Sequence, residues 1–424
     1  MYMELFQQLG TKIEDLWRAK DYDEELLPAI AADALRRADI PSKTTVWAVV
    51  EWALAQTELP RQRDVNANFG DPPLTVYSGP RFHVDIYFWF DGTTSIHQHG
   101  FCGAFQVMHG SSIHSWYEFE CERKINTFVE IGSMSLRRCE LLNVGAVRQI
   151  LAGKAYIHSL FHLDRPSATI VVRTDRSPLH LPQYSYHKPG LAIDPFFEQD
   201  TVTKKTQLVA ALIRAKNPDA DRMIAALIAE CDFHTTFNLL SNLRHLLRSN
   251  QVDQLFNLTE PGSRFQSFID IAEKRHGSDA KVIRAVFDRQ DLLDEIVNRR
   301  GYVTEPEQRF FLALLMNVDG KEQIYSLINE RFPNVAPLEK VLDWTHDLAN
   351  TRIVGTENSN ALGLPDFGDI DLFVFEQMLH GLAGIEIEDA LRSQYGESVG
   401  EALKSVAEKE LRIRNAIIFK PLFV

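Results

Sequence analysis

Residues 81–110 read RFHVDIYFWFDGTTSIHQHGFCGAFQVMHG, and how this stretch is taken decides the fold. Its two outer runs, RFHVDIYFWF and GAFQVMHG, are dense in β-branched and aromatic residues, which suit a pleated, half-buried surface. Asp91-Gly92 supplies a turn between them, so the stretch is expected to hold short strands rather than helix. The runs HSWYEFEC (114–121) and SATIVVRT (167–174) repeat the pattern. Strands so close in sequence leave no room for crossover helices, which predicts an antiparallel sandwich or barrel.

On either side the pattern changes. Leu5, Leu9, Ile13 and Leu16, then Leu26, Leu27, Ile30, Ala34 and Leu35, then Val46, Val49, Val50 and Leu54 recur at three- and four-residue spacing, the period of an amphipathic helix. The stretch ELPRQRDVNANFGDPP (58–73), with three prolines and a glycine, breaks that period and marks a boundary. Beyond about Thr201 helical stripes return in TQLVAALIRAK, DRMIAALIAECD, HTTFNLLSNLRHLLRS and AKVIRAVFDRQDLLDEIVNRR. The expected class is α+β: an N-terminal helical segment over 1–60, an antiparallel β-barrel over 61–195, and an all-α bundle or array over 196–424. No signature recurs at a fixed period, so a solenoid is not indicated.

Composition limits the function. A net charge of −13 over 424 residues provides no clustered basic surface of the kind that neutralises phosphates, which argues against a nucleic-acid partner. The four cysteines, Cys102, Cys121, Cys139 and Cys231, form no CxxC pair and point to neither a disulfide framework nor a zinc knot. Neither a secretion signal nor an apolar run of membrane-spanning length is found, so the expectation is a cytoplasmic protein without a membrane partner.

Nine of the fourteen histidines fall between His83 and His187, inside the strand-rich zone. Residues two apart on a strand share a face about 7 Å apart along the backbone. His97 and His99, in SIHQHG, therefore form a chelating pair. A third ligand is expected from another strand of a closed barrel, and GKAYIHSLFH (153–162) offers His158 and His162. Asp369 and Asp371, in GDIDLFVF, are read as a loop entering a helix rather than a paired catalytic aspartate.

These residues resemble the cupin superfamily. The stretch from Gly92 to Gly110 is similar to its first motif, G(x)5HxH(x)3-4E(x)6G, and GKAYIHSLFH is similar to its second, PxGxxHxxxN. The resemblance places His158 at the ligand position and His162 where the family has asparagine. The glutamate of the first motif is absent, Gly103 or Ala104 standing there, which implies a three-histidine site. A narrower resemblance is to cysteine dioxygenase and related thiol dioxygenases, in which an aromatic strand, a glycine turn, SIHxH and a cysteine follow in that order. It implies Fe(II), or another divalent metal, held by His97, His99 and His158. Trp89 and Cys102 match the aromatic and cysteine positions, while Val171 and Arg173 stand where the family has histidine and tyrosine.

Three neutral imidazoles would leave an ion its full charge and open positions for an anionic co-ligand and dioxygen. Arg173 and Arg81 are the candidates to pair with a substrate carboxylate. His83, Trp89 and Cys102 complete the candidate substrate-binding set, and Tyr156 and His162 are the candidate catalytic residues. The expected function is a mononuclear metal cupin oxygenase, iron-dependent, acting on a small anionic or thiol-containing molecule. The alternatives are a non-oxidative metal cupin (isomerase, lyase or hydrolase) and a ligand-binding sensor or interaction protein whose helical region meets a protein partner or a second copy.

Overall fold

The computed structural model describes residues 2–63, 65, 70–90, 94–197, 199–249, 261–353, 360–396 and 405–423. The expected turn at Asp91-Gly92 lies outside them. Four helices lead the chain: α1 (Tyr2–Arg18), α2 (Leu27–Ala38), α3 (Ile40–Lys43) and α4 (Val46–Ala55). Among the described residues eleven strands follow: β1 (Pro73–Ser78), β2 (Phe82–Trp89), β3 (Ile96–His99), β4 (Gly103–His109), β5 (Ser112–Asn126), β6 (Val129–Leu142), β7 (Val147–Ile150), β8 (Gly153–His162), β9 (Ser167–Thr174), β10 (Ser185–His187) and β11 (Leu191–Ile193). From Asp200 onward the described chain is helical, beginning with α5 (Asp200–Arg214), α6 (Ala220–Glu230) and α7 (Phe233–Ser249) and running to Val406–Asn415.

The strands form two antiparallel layers. One is a five-stranded sheet in the order β1-β2-β9-β4-β7; the other closes on itself as β10-β11-β6-β5-β8-β3, β3 pairing back onto β10. This is the antiparallel barrel expected from the sequence, flanked by N-terminal helices and a large all-α C-terminal region, in the α+β class.

Strand β2 shows why these residues read as strand and how they position the site. Phe82, Val84, Ile86 and Phe88 join Phe6, Ile13, Trp17 and Leu35 of the N-terminal helices in one buried cluster. The alternate residues His83, Asp85, Tyr87 and Trp89 turn the other way, and Tyr87 and Trp89 join Phe101, Phe105, Tyr156, Leu160 and Val171 between the layers. Although β2 is buried on both faces it keeps the alternation, with the more polar set on the interior face.

The outer face of the closed layer carries the C-terminal helices. Ile113, Leu141 and Phe161 pack into a cluster with Phe310, Phe311, Trp344 and Phe375, and Val129, Leu191 and Ile193 pack into another with Ile213, Ile224 and Phe237. The apolar end of the chain belongs to the first cluster, Ile418 and Phe419 being fully buried. Asp371 sits in the first turn of the helix Asp369–Leu379, where it accepts from the Gly368 backbone N–H at 3.2 Å and from Lys409 Nζ at 3.0 Å. That is the helix entry the sequence implied. Among the described residues no helix is long and apolar enough to cross a membrane.

Candidate metal centre

Strand β3 is only four residues long, and its alternation puts His97 and His99 on one face and Gln98 on the other. Gln98 anchors the strand by donating to the Pro182 carbonyl at 2.7 Å and accepting from the Tyr186 hydroxyl. On β8, Tyr156, His158, Leu160 and His162 share the interior face, and His158 is the register partner of His97. The donor nitrogens of His97, His99 and His158 all lie within 4.8 Å of one another, and all three side chains are buried. Burial lowers the pKa of all three, that of His99 and His158 well below the usual histidine range. They stay neutral, which a metal ligand requires.

Hydrogen bonds assign two of the three tautomers. His97 Nδ1 lies 2.6 Å from the Ser95 carbonyl, which only accepts, so that nitrogen carries the proton and Nε2 is bare. His158 Nδ1 lies 3.0 Å from His114 Nε2, and His114 Nδ1 lies 3.0 Å from Glu140 Oε1. The carboxylate only accepts, so the protons sit on Nδ1 of both rings and His158 Nε2 is bare as well. That nitrogen is 2.8 Å from His99 Nε2, while His99 Nδ1 is buried without a partner. Two imidazole nitrogens coordinated at about 2.1 Å at right angles to one another are separated by about 3 Å. The three-nitrogen donor set, and the 2.8 Å spacing of the His99–His158 pair, suit a divalent ion.

The wall next to the cluster is apolar and basic. A cavity of 460 Å³ opens onto His97 and His99 and is lined also by Tyr87, Phe101, Arg173, Arg176 and Phe196, with no carboxylate in its described wall. Arg173 lies 3.8 Å from the Phe101 ring centre and donates to the Tyr87 hydroxyl at 3.3 Å. Arg176 stacks on Phe196 at 3.7 Å.

The other sequence candidates are placed differently. His162 shares the face of His158, but four residues of strand carry it about 13 Å away. There its Nδ1 meets Ser167 and Ser112 at 2.6 and 3.1 Å, and its ring stacks on Trp89 at 4.6 Å. Trp89 is occupied with that contact and a 3.2 Å bond to Thr169, so neither residue lines the cavity. Tyr156 is fully buried with its ring centre 4.3 Å from that of His158, its hydroxyl lies 3.3 Å from His114 Nε2, and burial raises its pKa well above the usual range. It supports the cluster but does not line the cavity. His83 Nε2 lies 3.2 Å from Asp85 Oδ2, one layer behind Tyr87 and Arg173.

Two expectations are corrected. Arg81 precedes β2, is exposed, and stacks on Tyr22 at 4.2 Å outside the barrel. Cys102 lies between β3 and β4 and has the opposite parity to His97, His99 and Phe101, so it faces outward with Ala104 and Met108. Its thiol points at the N-terminal helices, 3.4 Å from the Glu24 carbonyl, and burial pushes its pKa up to about 11. Neither residue lines the cavity.

Two groups near the cluster were not read from the sequence. Glu140, through the fully buried His114, extends the hydrogen bonding behind His158, and Arg176 comes from a loop after β9. An available signal was Asp85, an acid inside the aromatic run FHVDIYFW; it accepts from Thr75 at 2.8 Å and Tyr87 at 3.2 Å.

No protein-family model matches the chain, and no curated protein sequence matches it. Solved structures give distant likenesses. A cupin-2 domain-containing protein from Shewanella frigidimarina is 13% identical over 26% of this chain and 85% of its own, with a TM-score of 0.17. A hydroquinone 1,2-dioxygenase solved with Cd2+ and 4-hydroxybenzonitrile is 17% identical over 25% of this chain and 64% of its own, with a TM-score of 0.19. A structure of DMSP lyases is 16% identical over 35% of this chain and 72% of its own, with a TM-score of 0.22.

Proposed function

We propose that this protein is a mononuclear metal oxygenase, iron(II)-dependent, acting on a small anionic or thiol-containing substrate that enters the 460 Å³ cavity. The observation that carries this reading is three buried neutral imidazoles beside a cavity whose described wall holds two arginines and no carboxylate. A ferrous ion, when bound by His97, His99 and His158, would supply a redox-active Lewis acid with coordination positions open to substrate and dioxygen.

The chain's own residues do the rest. Arg173, kept in place by Phe101 and the Tyr87 hydroxyl, presents a planar donor fork that matches a carboxylate. Tyr87 has its pKa raised to about 12, chiefly by burial, so it remains a hydroxyl that accepts from Arg173 and donates to Asp85, which fixes the arginine at the cavity wall. Phe101, its ring centre 4.5 Å from that of His99, supplies the apolar wall next to the imidazoles.

The test is oxygen consumption by protein loaded anaerobically with Fe2+, with a panel of small thiols, amino acids and keto acids. Uptake is expected with at least one anionic member and not with its carboxamide. No uptake with any member would refute the oxygenase reading. On the active substrate, Arg173→Met keeps the aliphatic stem but removes the fork. It is expected to raise KM roughly 10- to 100-fold, the value of one charge-assisted hydrogen bond or a pair of them, with a smaller change in kcat. An unchanged KM would remove Arg173 from substrate binding.

A further inference from the structure

The tautomer of His158 is not decided at His158. Its Nδ1 faces His114, a ring that can either accept through a bare Nε2 or donate through a protonated one. In the first case His158 carries its proton on Nδ1 and offers the lone pair of Nε2 to the cluster. In the second, His158 Nδ1 accepts, Nε2 is protonated, and the third ligand is lost.

Two groups compete for His114 Nδ1 and thereby choose between these states. Glu140 Oε1, 3.0 Å away, demands a proton on it. The Trp116 indole N–H, 3.2 Å away, demands a lone pair. Burial alone would raise the pKa of Glu140, but hydrogen bonds from Arg148 (2.8 and 2.6 Å) and His114 outweigh it, and Arg138 adds another at 3.1 Å. The carboxyl is held far below its usual range and stays charged. A charged acceptor outcompetes a neutral donor at similar distance. Trp116 N–H is then left the longer 3.4 Å contact to the same carboxylate oxygen.

We propose that Glu140 is a positioning residue that acts through His114 to hold His158 in its ligating tautomer, and that Trp116 is the built-in competitor that would reverse the relay if the carboxylate charge were lost. The inference rests on the reading that His97, His99 and His158 hold a metal.

The test uses Co2+ as the probe, with affinity from chelator competition, the visible absorption of the bound ion, and the side-chain 15N shifts of His158 in the metal-free protein. The expected results for Glu140→Gln are Co2+ binding weakened roughly 10- to 100-fold, the usual effect of removing such an outer partner, and a His158 tautomer mixture in place of pure Nδ1–H. Adding Trp116→Phe to that variant removes the competitor and is expected to recover at least a third of the loss on a logarithmic scale. His114→Phe keeps a ring in place, removes the acceptor, and is expected to weaken Co2+ binding too, which keeps the test open should Glu140→Gln not fold. Wild-type binding with unchanged affinity and His158 shifts in folded Glu140→Gln, or unchanged affinity in folded His114→Phe, would overturn the relay. Failure of the wild-type protein to bind Co2+ would instead overturn the metal reading, and the relay with it.

Discussion

His158→Ala is expected to cost on the order of 100- to 1000-fold in metal affinity, while His162→Ala leaves the affinity unchanged. The scale follows from dividing the binding free energy of a well-formed site among its few ligands. The contrast follows from position on one strand. His158 pairs in register with His97 and has its bare Nε2 2.8 Å from that of His99. His162 is occupied by Ser112, Ser167 and Trp89, and burial pushes its pKa down to about 3. Its loss is a packing defect at the far end of the interior, read in thermal stability rather than in metal content. Titration of both variants with Co2+ is the check. Intact binding in His158→Ala together with loss in His162→Ala would reverse the assignment of the third ligand.

The second large effect is structural and reaches the site indirectly. Gly190→Ala places a methyl group 1.6 Å from the Gly132 carbonyl oxygen, in the segment joining β10 to β11. Here the return strand runs against β6, with Gly132 N–H bonded to the Gly190 carbonyl at 2.9 Å and Met134 N–H to the Pro189 carbonyl at 3.1 Å. The obstructing atom is backbone, so no rotamer relieves the clash and the two segments must separate. The expected destabilisation is about 3 kcal/mol or more, the upper range of overpacking. Ser185 on β10 is the register partner of His97, so opening this closure frees β3, the four-residue strand that carries two of the three imidazoles. Gly190→Ala should therefore lower both the unfolding midpoint and the Co2+ affinity, although it touches neither cavity nor histidine. A midpoint within a degree or two of wild type would contradict this account of the closure.

How much of this was legible in the sequence depended on whether a residue's role is set by its neighbours in the chain. His97 and His99 are legible because a two-residue strand period fixes their shared face whatever surrounds them. The helical zones are legible through their apolar period, but which face of the barrel they cover depends on contacts such as Phe161 with the cluster around Phe311, which periodicity does not encode. Cys102 was placed in the site by the order of residues in the family resemblance, whereas its even position, opposite in parity to His97, His99 and Phe101, turns it outward. Arg81 has the same parity as His83 and Asp85 but lies one residue before the strand begins, and is stacked outside. Glu140 was invisible for another reason. It is one of several charges on a long strand whose middle is exposed, and it becomes special only because Arg148 and His114 converge on it from 8 and 26 residues away.

The central claim is that three histidines from two strands hold one divalent ion. Anomalous X-ray scattering from crystals grown with Co2+ or Fe2+ tests it most directly. The expected result is a single strong peak about 2.1 Å from Nε2 of His97, His99 and His158. A peak elsewhere, or none at these three rings in well-ordered crystals, would contradict it.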